Sequence, residues 1–228
     1  MLKLNNMTYP SQVTHDQIQM VLSPTYRFPA DGKNGLILYG PYGTGKTTVA
    51  ELLPAAIEAK HSAETPNVRA EACRPSHNGV DLIASISEQI IHFPMSGTHH
   101  YIILDEVDNL TPAAMQQLKS AMNRPYGSQN HDAVFIMTTN HVEKIDQGVI
   151  GRSRLVSFEP MSMTVWIPLA RQALFKNGIS NINLVTDGFI RRRIITKGNN
   201  PRAILDNCQE MAYLLNSNSE LWTLAQQP

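Results

Sequence analysis

Apolar positions along the chain fall into two rhythms that take turns. Short unbroken runs occur at Leu36-Ile37-Leu38-Tyr39, at Val68 to Ala72, at Tyr101-Ile102-Ile103-Leu104, at Ala133 to Thr138 and at Leu155 to Phe158, and each predicts a strand. The Tyr101 to Leu104 run is continuous enough for the buried middle of a parallel sheet. Between the runs the apolar spacing changes to three and four, through Val49, Leu52, Leu53, Ala56 and Ile57, then Val80, Ile83, Ile86 and Ile90, then Met115, Leu118 and Met122. These stretches predict helices, the second over Gly79 to Ile91. Pro54 sits inside the first and is expected to bend or shorten it. Thr111 and Pro112 make a good cap and first-turn pair for the third, which should show Gln116, Gln117, Lys119 and Asn123 to solvent. Strands alternating with helices predict an open, mostly parallel five-stranded α/β sheet flanked by helices.

From Pro160 the strand rhythm stops. Helices are predicted around Thr164 to Lys176, from Thr186 to Thr196 and from Asn200 to Leu215, the last capped by Asn200-Pro201 with Ile204, Leu205, Cys208, Met211 and Leu215 as its apolar stripe. The reading is therefore an N-terminal segment over 1–34, with one short helix around His15 to Leu22, an α/β domain over 35–160, a small all-helical domain over 161–217 and a polar tail over 218–228 that carries Trp222. The N-terminal segment is expected to cover the base or sugar of a nucleotide, or to be a plain arm.

Composition adds little against this. The chain has 228 residues, with 42% hydrophobic and 17% charged content, which suits a soluble globular protein and argues against disorder. Nineteen basic and nineteen acidic residues give no net field, so a nucleic-acid contact must come from a local patch. Cys73 and Cys208 are far apart and in no metal-ligand spacing, which points to packed or loosely exposed thiols in a reducing, cytoplasmic compartment. His92, His99, His100, His131 and His141 show no paired metal spacing either. No leader-like segment and no long apolar run is present, so neither export nor membrane insertion is expected.

The chemistry is concentrated after the first strand. Gly40-Pro41-Tyr42-Gly43-Thr44-Gly45-Lys46-Thr47-Thr48 follows an apolar run and opens a helix, the context that a phosphate-binding loop requires. Its glycines permit backbone N–H groups to wrap around phosphate, Lys46 adds a point charge and Thr47 offers a hydroxyl to Mg²⁺. The third strand ends in Asp105-Glu106-Val107-Asp108. A carboxylate at the end of a buried strand can hold Mg²⁺ through water and its neighbour can polarise the attacking water, which assigns Asp105 to the metal and Glu106 to the water.

Together these stretches resemble the AAA+ ATPases, and within them the clamp-loader group of replication factor C small subunits and their phage and bacterial counterparts, over roughly residues 35 to 215. Asp105 to Ala114 is similar to that group's acidic box and following helix, and Val68-Arg69-Ala70-Glu71-Ala72 with Gly79-Val80-Asp81 to its second strand and DNA-facing helix. Phe135-Ile136-Met137-Thr138-Thr139-Asn140 resembles the first sensor, which implies that Asn140 holds the lytic water or the γ-phosphate. Gly151-Arg152-Ser153-Arg154 precedes the fifth strand where clamp loaders carry Ser-Arg-Cys, implying Arg154 as an arginine finger on a neighbouring subunit's ATP, with Arg152 competing for the role and Leu155 in place of the cysteine. Gly198-Asn199-Asn200-Pro201-Arg202-Ala203 is similar to the second sensor in the helical lid, implying that Arg202 reaches the γ-phosphate of its own chain. The group also carries a helical collar domain that this sequence lacks, so another interface is expected to hold the ring, or the protein is not an autonomous clamp loader.

The resemblance implies ATP and Mg²⁺ as cofactors, assembly into a homo- or hetero-oligomeric ring or spiral, and duplex or primer–template DNA as partner. Arg74, Ser76, His77, Asn78, Thr111, Gln116, Lys119 and Arg124 are the candidate phosphate contacts, whereas Arg191-Arg192-Arg193 is expected to be solvated or to form a subunit interface. The reading favoured by Asp105, Glu106, Asn140, Arg154 and Arg202 is a DNA-stimulated ATPase of the clamp-loader type, of phage or mobile-element character, acting with a sliding clamp. A helicase loader or transposition regulator, recruiting a replicative helicase or another protein, is the alternative, and a weakly hydrolysing nucleotide-dependent binding module a third.

Overall fold

The structure is a computed structural model that describes residues 4, 7–123, 133–195, 201–217 and 219–227, without the side chains of 201 and 219. Arg124, His131, Thr196 and the Gly198-Asn199-Asn200 stretch lie outside the described residues. Five strands form one sheet: β1 (Gly35–Tyr39), β2 (Asn67–Ala72), β3 (His100–Asp105), β4 (Ala133–Thr139) and β5 (Ser153–Ser157), in the order β2-β3-β4-β1-β5. Every pairing is parallel, and β1 runs in register with β5 from Gly35 opposite Ser153 to Tyr39 opposite Ser157.

Helices cover both faces, as a parallel sheet requires. Ile37, Ile102, Leu104, Phe135 and Met137 face α3 (Val80–Gln89), α4 (Pro112–Met122) and α5 (Gln147–Gly151), through Leu82, Ile83, Ile86, Ala114, Leu118 and Val149. Leu36, Leu38, Tyr101, Ile103, Val134, Ile136 and Val156 line the opposite face with Ile18 and Val21 of α1 (Gln12–Leu22) and Val49, Leu53 and Ile57 of α2 (Lys46–Glu58). The chain divides into two compact units, one of Met1–Pro41 with Gly45–Glu159 and a second of Tyr42–Thr44 with Pro160–Pro228. The second holds α6 (Met163–Lys176), α7 (Asp187–Ile195), α8 (Pro201–Ser217) and α9 (Ser219–Ala225) around Trp166, Leu174, Ile190, Ile204, Cys208 and Met211. Among the described residues no helix is long and apolar enough to cross a membrane.

Several local expectations are corrected. The helix through Pro54 runs on to Glu58, because Leu53, Pro54 and Ile57 are all buried against the sheet and tertiary packing outweighs one missing N–H. The fifth strand starts two residues early, with Ser153 and Arg154 inside it and not before it. Ser153 is hidden there because its hydroxyl donates to the Val149 carbonyl at 2.8 Å. Val80 is exposed, and Leu82 takes its place on the buried side of α3. Leu205 is likewise exposed on α8. Gln117 and Lys119 are half-buried, not solvated. The expected tail forms α9, whose Ala225 carbonyl accepts the Thr186 N–H at 2.9 Å and so ties it to the start of α7. Both cysteines are packed: burial, with the carboxylates of Asp105 and its neighbours added, pushes the Cys73 thiol up to about 12, and burial pushes Cys208 up to about 11.

A carboxylate closes the far end of α2. Glu58 is fully buried. Its Oε1 accepts from the Ser62 hydroxyl at 2.7 Å, the Thr98 N–H at 2.8 Å and the Thr98 hydroxyl at 2.9 Å, and its Oε2 accepts from the Tyr101 hydroxyl at 2.9 Å. Burial pushes its pKa up, but these four donors more than reverse that and hold the group below its ordinary value. The folded state therefore favours the ionised form, so this stabilisation is present above the ordinary carboxylate value of 4.5 and is lost as pH falls below it. Urea denaturation of Glu58→Ala should show a loss of about 2–4 kcal/mol at pH 7, because buried donors are left unmatched. The difference from the parent should shrink as the pH is lowered through the acid range; an unchanged difference at pH 3 would contradict it.

Candidate nucleotide site

The carboxyl ends of β1, β3 and β4 lie side by side, and the chemistry-bearing residues follow directly from them. After β1 the chain turns through Gly40, Gly43 and Gly45, with φ of 144°, 76° and 93°, into α2. Gly40 is required on two counts, its φ and the Phe158 carbonyl standing where a Cβ would be. Lys46, first in α2, folds back under the loop. Its ammonium donates to the carbonyls of Gly40 and Pro41, both at 2.7 Å, and to Asn140 Oδ1 at 2.9 Å. Burial pushes its pKa down to about 8 against the opposing pull of Asp105, Asp108 and Glu106.

Thr47, next on α2, donates its hydroxyl to Asp105 Oδ1 at 2.8 Å. The same oxygen accepts from the Thr138 hydroxyl at 2.5 Å, and Thr138 Oγ1 in turn accepts the Glu106 N–H at 3.0 Å. Glu106 itself stands at φ 57°, a left-handed backbone that costs a non-glycine residue of order 1 kcal/mol. Asn109 donates to Glu106 Oε2 at 3.3 Å and to the Cys73 carbonyl at 3.1 Å, while Thr139 donates to Asp108 Oδ1 at 2.7 Å. The structure thus brings Gly40, Lys46, Thr47, Asp105, Glu106 and Asn140 together. Thr138, Thr139 and Asn109 were missed by the sequence reading, although two threonines ending an otherwise apolar strand were the available signal. Thr47 and Asp105 present hard oxygen donors of the kind Mg²⁺ takes alongside phosphate and water, so the donor set fits that ion.

Other sequence candidates lie elsewhere. Arg152 and Arg154 stand at the amino end of β5, the opposite end of the sheet from the loop, with Arg154 in register with Leu36. The Arg152 guanidinium is tied to Asn123 Oδ1 and donates to the Gly148 carbonyl at 2.7 Å. Arg154 Nε is buried without a hydrogen-bond partner among the described residues, and its guanidinium lies 5.1 Å from the centre of the Tyr26 ring. Pro41, Gly45 and Thr48 belong to the unit that holds the sheet, Tyr42, Gly43 and Thr44 to the second unit, and Arg202 to the first turn of α8, where it is exposed.

The candidate phosphate contacts divide. Arg74, Ser76 and His77 are exposed in the loop before α3, with His77 paired to Glu71 at 3.0 Å. Asn78 donates to the Asn109 carbonyl at 2.7 Å and accepts the Thr111 N–H at 3.0 Å, which sets the amino ends of α3 and α4 beside each other. Thr111 caps α4 by accepting the Ala114 N–H at 3.2 Å. Lys119 and Gln116 are both engaged with Asp146, at 3.6 Å and 3.1 Å. On α7, Arg193 lies over the Phe189 ring at 5.5 Å while Arg191 and Arg192 are exposed.

The chain is similar to known proteins in sequence and in fold. The chain is 29% identical to replication factor C small subunit 1 of Pyrobaculum arsenaticum over 146 residues, covering 63% of the chain and 42% of that protein. It is 28% identical to DNA polymerase III subunit tau of Bacillus subtilis over 136 residues, covering 53% of the chain and 23% of that protein. The chain therefore spans less than half the length of either relative. Among solved structures, the RuvB Holliday junction branch migration motor of Thermotoga maritima superposes over 98% of the chain and 70% of its own length with a TM-score of 0.69, at 14% identity, which speaks for the fold alone. The model of the ATPase family associated with various cellular activities matches residues 36–161, more than half of the chain and the whole of the region that carries the loop, the acidic strand end and Asn140, so the chain belongs to the AAA family.

Proposed function

We propose that the chain is an ATP-hydrolysing subunit that assembles on DNA and couples ATP binding to gripping and hydrolysis to release, as a clamp-loader-like replication factor working with a sliding clamp. The observation that carries the reading is the convergence of Lys46, Thr47, Asp105 and Asn140 on adjoining strand ends. The relatives named as a replication factor and a DNA polymerase subunit support the choice of replication.

In this reading the loop N–H groups from Gly40 to Thr48 cradle the phosphates and Lys46 keeps its charge close to the γ-phosphate. Thr47 and Asp105 would hold Mg²⁺, which would supply neutralisation of phosphate charge there. Glu106 accepts the proton of the attacking water, and Asn140 orients that water or the terminal phosphate. Arg154 stands about four strand residues, some 13 Å, from its own loop at ~3.3 Å per residue, which favours action on a neighbouring protomer's ATP. Arg152 is a poorer candidate because its guanidinium is already committed to Asn123 and Gly148. Arg202 serves as the sensor on the helical unit. Arg74, Ser76, His77 and Asn78, with the adjoining amino ends of α3 and α4, form the phosphate-tracking surface, with Thr111 and Lys119 beside it.

Glu106→Gln should retain ATP binding and lose about a hundredfold or more in kcat, the range of a removed general base; turnover at the parental rate would refute the assignment. An Arg154→Ala chain and a Lys46→Ala chain should each be inactive alone and recover activity when mixed, since one intact site then forms between them; no recovery would refute action across an interface. Primed DNA should raise steady-state ATP turnover, and raising the salt from 50 to 200 mM should weaken that response steeply. A salt-insensitive or absent response would place the work on a protein partner.

A further inference from the structure

We infer that Tyr26 positions the Arg154 guanidinium, holding it over the ring so that its terminal N–H groups stay available to the neighbouring protomer; the inference rests on the reading of Arg154 given above. The guanidinium lies 5.1 Å from the Tyr26 ring centre, within cation–π range. No hydrogen bond to the described residues fixes the buried Arg154 Nε. The ring face is therefore what holds this side chain, in contrast to Arg152, which two acceptors anchor by its edge. The distinction matters chemically, because a guanidinium held over a ring keeps its terminal donors for phosphate, whereas an edge-bonded one has spent them.

Tyr26 is in turn fixed by its backbone. Its N–H donates to the Ser23 carbonyl at 3.2 Å, closing the turn after α1, and its carbonyl accepts the Lys60 ammonium at 3.1 Å. Lys60 also donates to the Val21 carbonyl at 2.9 Å, so one cation just past α2 joins the end of α1 to the turn. The ring packs on the core formed by α1, α2 and the sheet, and Arg154 extends from β5 on that same face, in register with Leu36. The Tyr26 hydroxyl is buried with no hydrogen-bond partner among the described residues. It adds nothing to the hold on Arg154, so the aromatic face is the functional part.

Two substitutions separate these roles. Tyr26→Phe keeps the ring and should retain ATP turnover within about twofold. Tyr26→Leu keeps apolar bulk but removes the π face, and should lower kcat about tenfold at unchanged affinity for ATP measured by direct binding. Mixing Tyr26→Leu with Lys46→Ala should restore turnover, because the Lys46→Ala chain still presents Arg154 on Tyr26 to the intact loop of its neighbour. A general folding defect would not be relieved in this way. Parental turnover in Tyr26→Leu, an equal loss in Tyr26→Phe, or no recovery on mixing would each overturn the inference. Should Tyr26→Leu melt below the assay temperature, Tyr26→Met is read by the same three outcomes. Arg154→Ala run alongside tells the two failures apart. Full activity there removes the reading of Arg154 itself, whereas loss of activity there with a fully active Tyr26→Leu removes only the role of Tyr26.

Discussion

The buried ammonium of Lys46 is the charge around which the sheet closes. Taking a cation out of water is costly unless its donors are all met, and here two acceptors come from the loop after β1 and one from the residue after β4. The loop must curl back for its Gly40 and Pro41 carbonyls to reach the ammonium, and that path needs the positive φ at Gly40. Asn140 must stand level with the loop, and the in-register pairing of β1 with β4 ensures it. Burial weakens the lysine as an ammonium, which makes any negative phosphate brought to it a better partner than it would be at the surface.

A layer of hydroxyls lies beside that charge and serves the carboxylates. Asp105 takes two of them, from Thr47 on α2 and Thr138 on β4, so one carboxylate oxygen links the loop's helix to two strands. Thr138 also receives the Glu106 N–H, and Thr139 secures Asp108. The strand ends are thus cross-linked by short side chains on ordered backbone and not by long flexible ones, which limits how far Asp105 and Glu106 can wander. Glu106 keeps its left-handed backbone because these neighbours hold the residues on both sides of it.

Most of the framework was legible because its signals are local. The phosphate loop is a contiguous string, the buried strands are unbroken apolar runs, and Thr111-Pro112 announces α4 without help from the rest of the chain. What escaped depends on partners distant in sequence. Ser153 and Arg154 read as a polar turn, yet the first is satisfied by Val149 and the second lies over an aromatic ring from a segment far upstream, and the strand extends over both. Val80 and Leu82 fit helical spacing equally well, and only the sheet decides which is buried. Pro54 obeys its local rule and is overruled by packing on both sides. The site showed the same division: Lys46, Thr47, Asp105 and Glu106 announce themselves, while the bond of Asn109 to the Cys73 carbonyl joins segments far apart in sequence.

The in-register pairing of β1 with β5 has a mechanical consequence. It fastens the phosphate loop and Arg154 to opposite ends of one hydrogen-bonded ladder, so their spacing is set by strand pitch and cannot stretch or bend independently. If each protomer offers the loop to one neighbour and the arginine to the other, a composite site cannot be adjusted by flexing either element. Changing its gap would then require whole α/β bodies to tilt against one another.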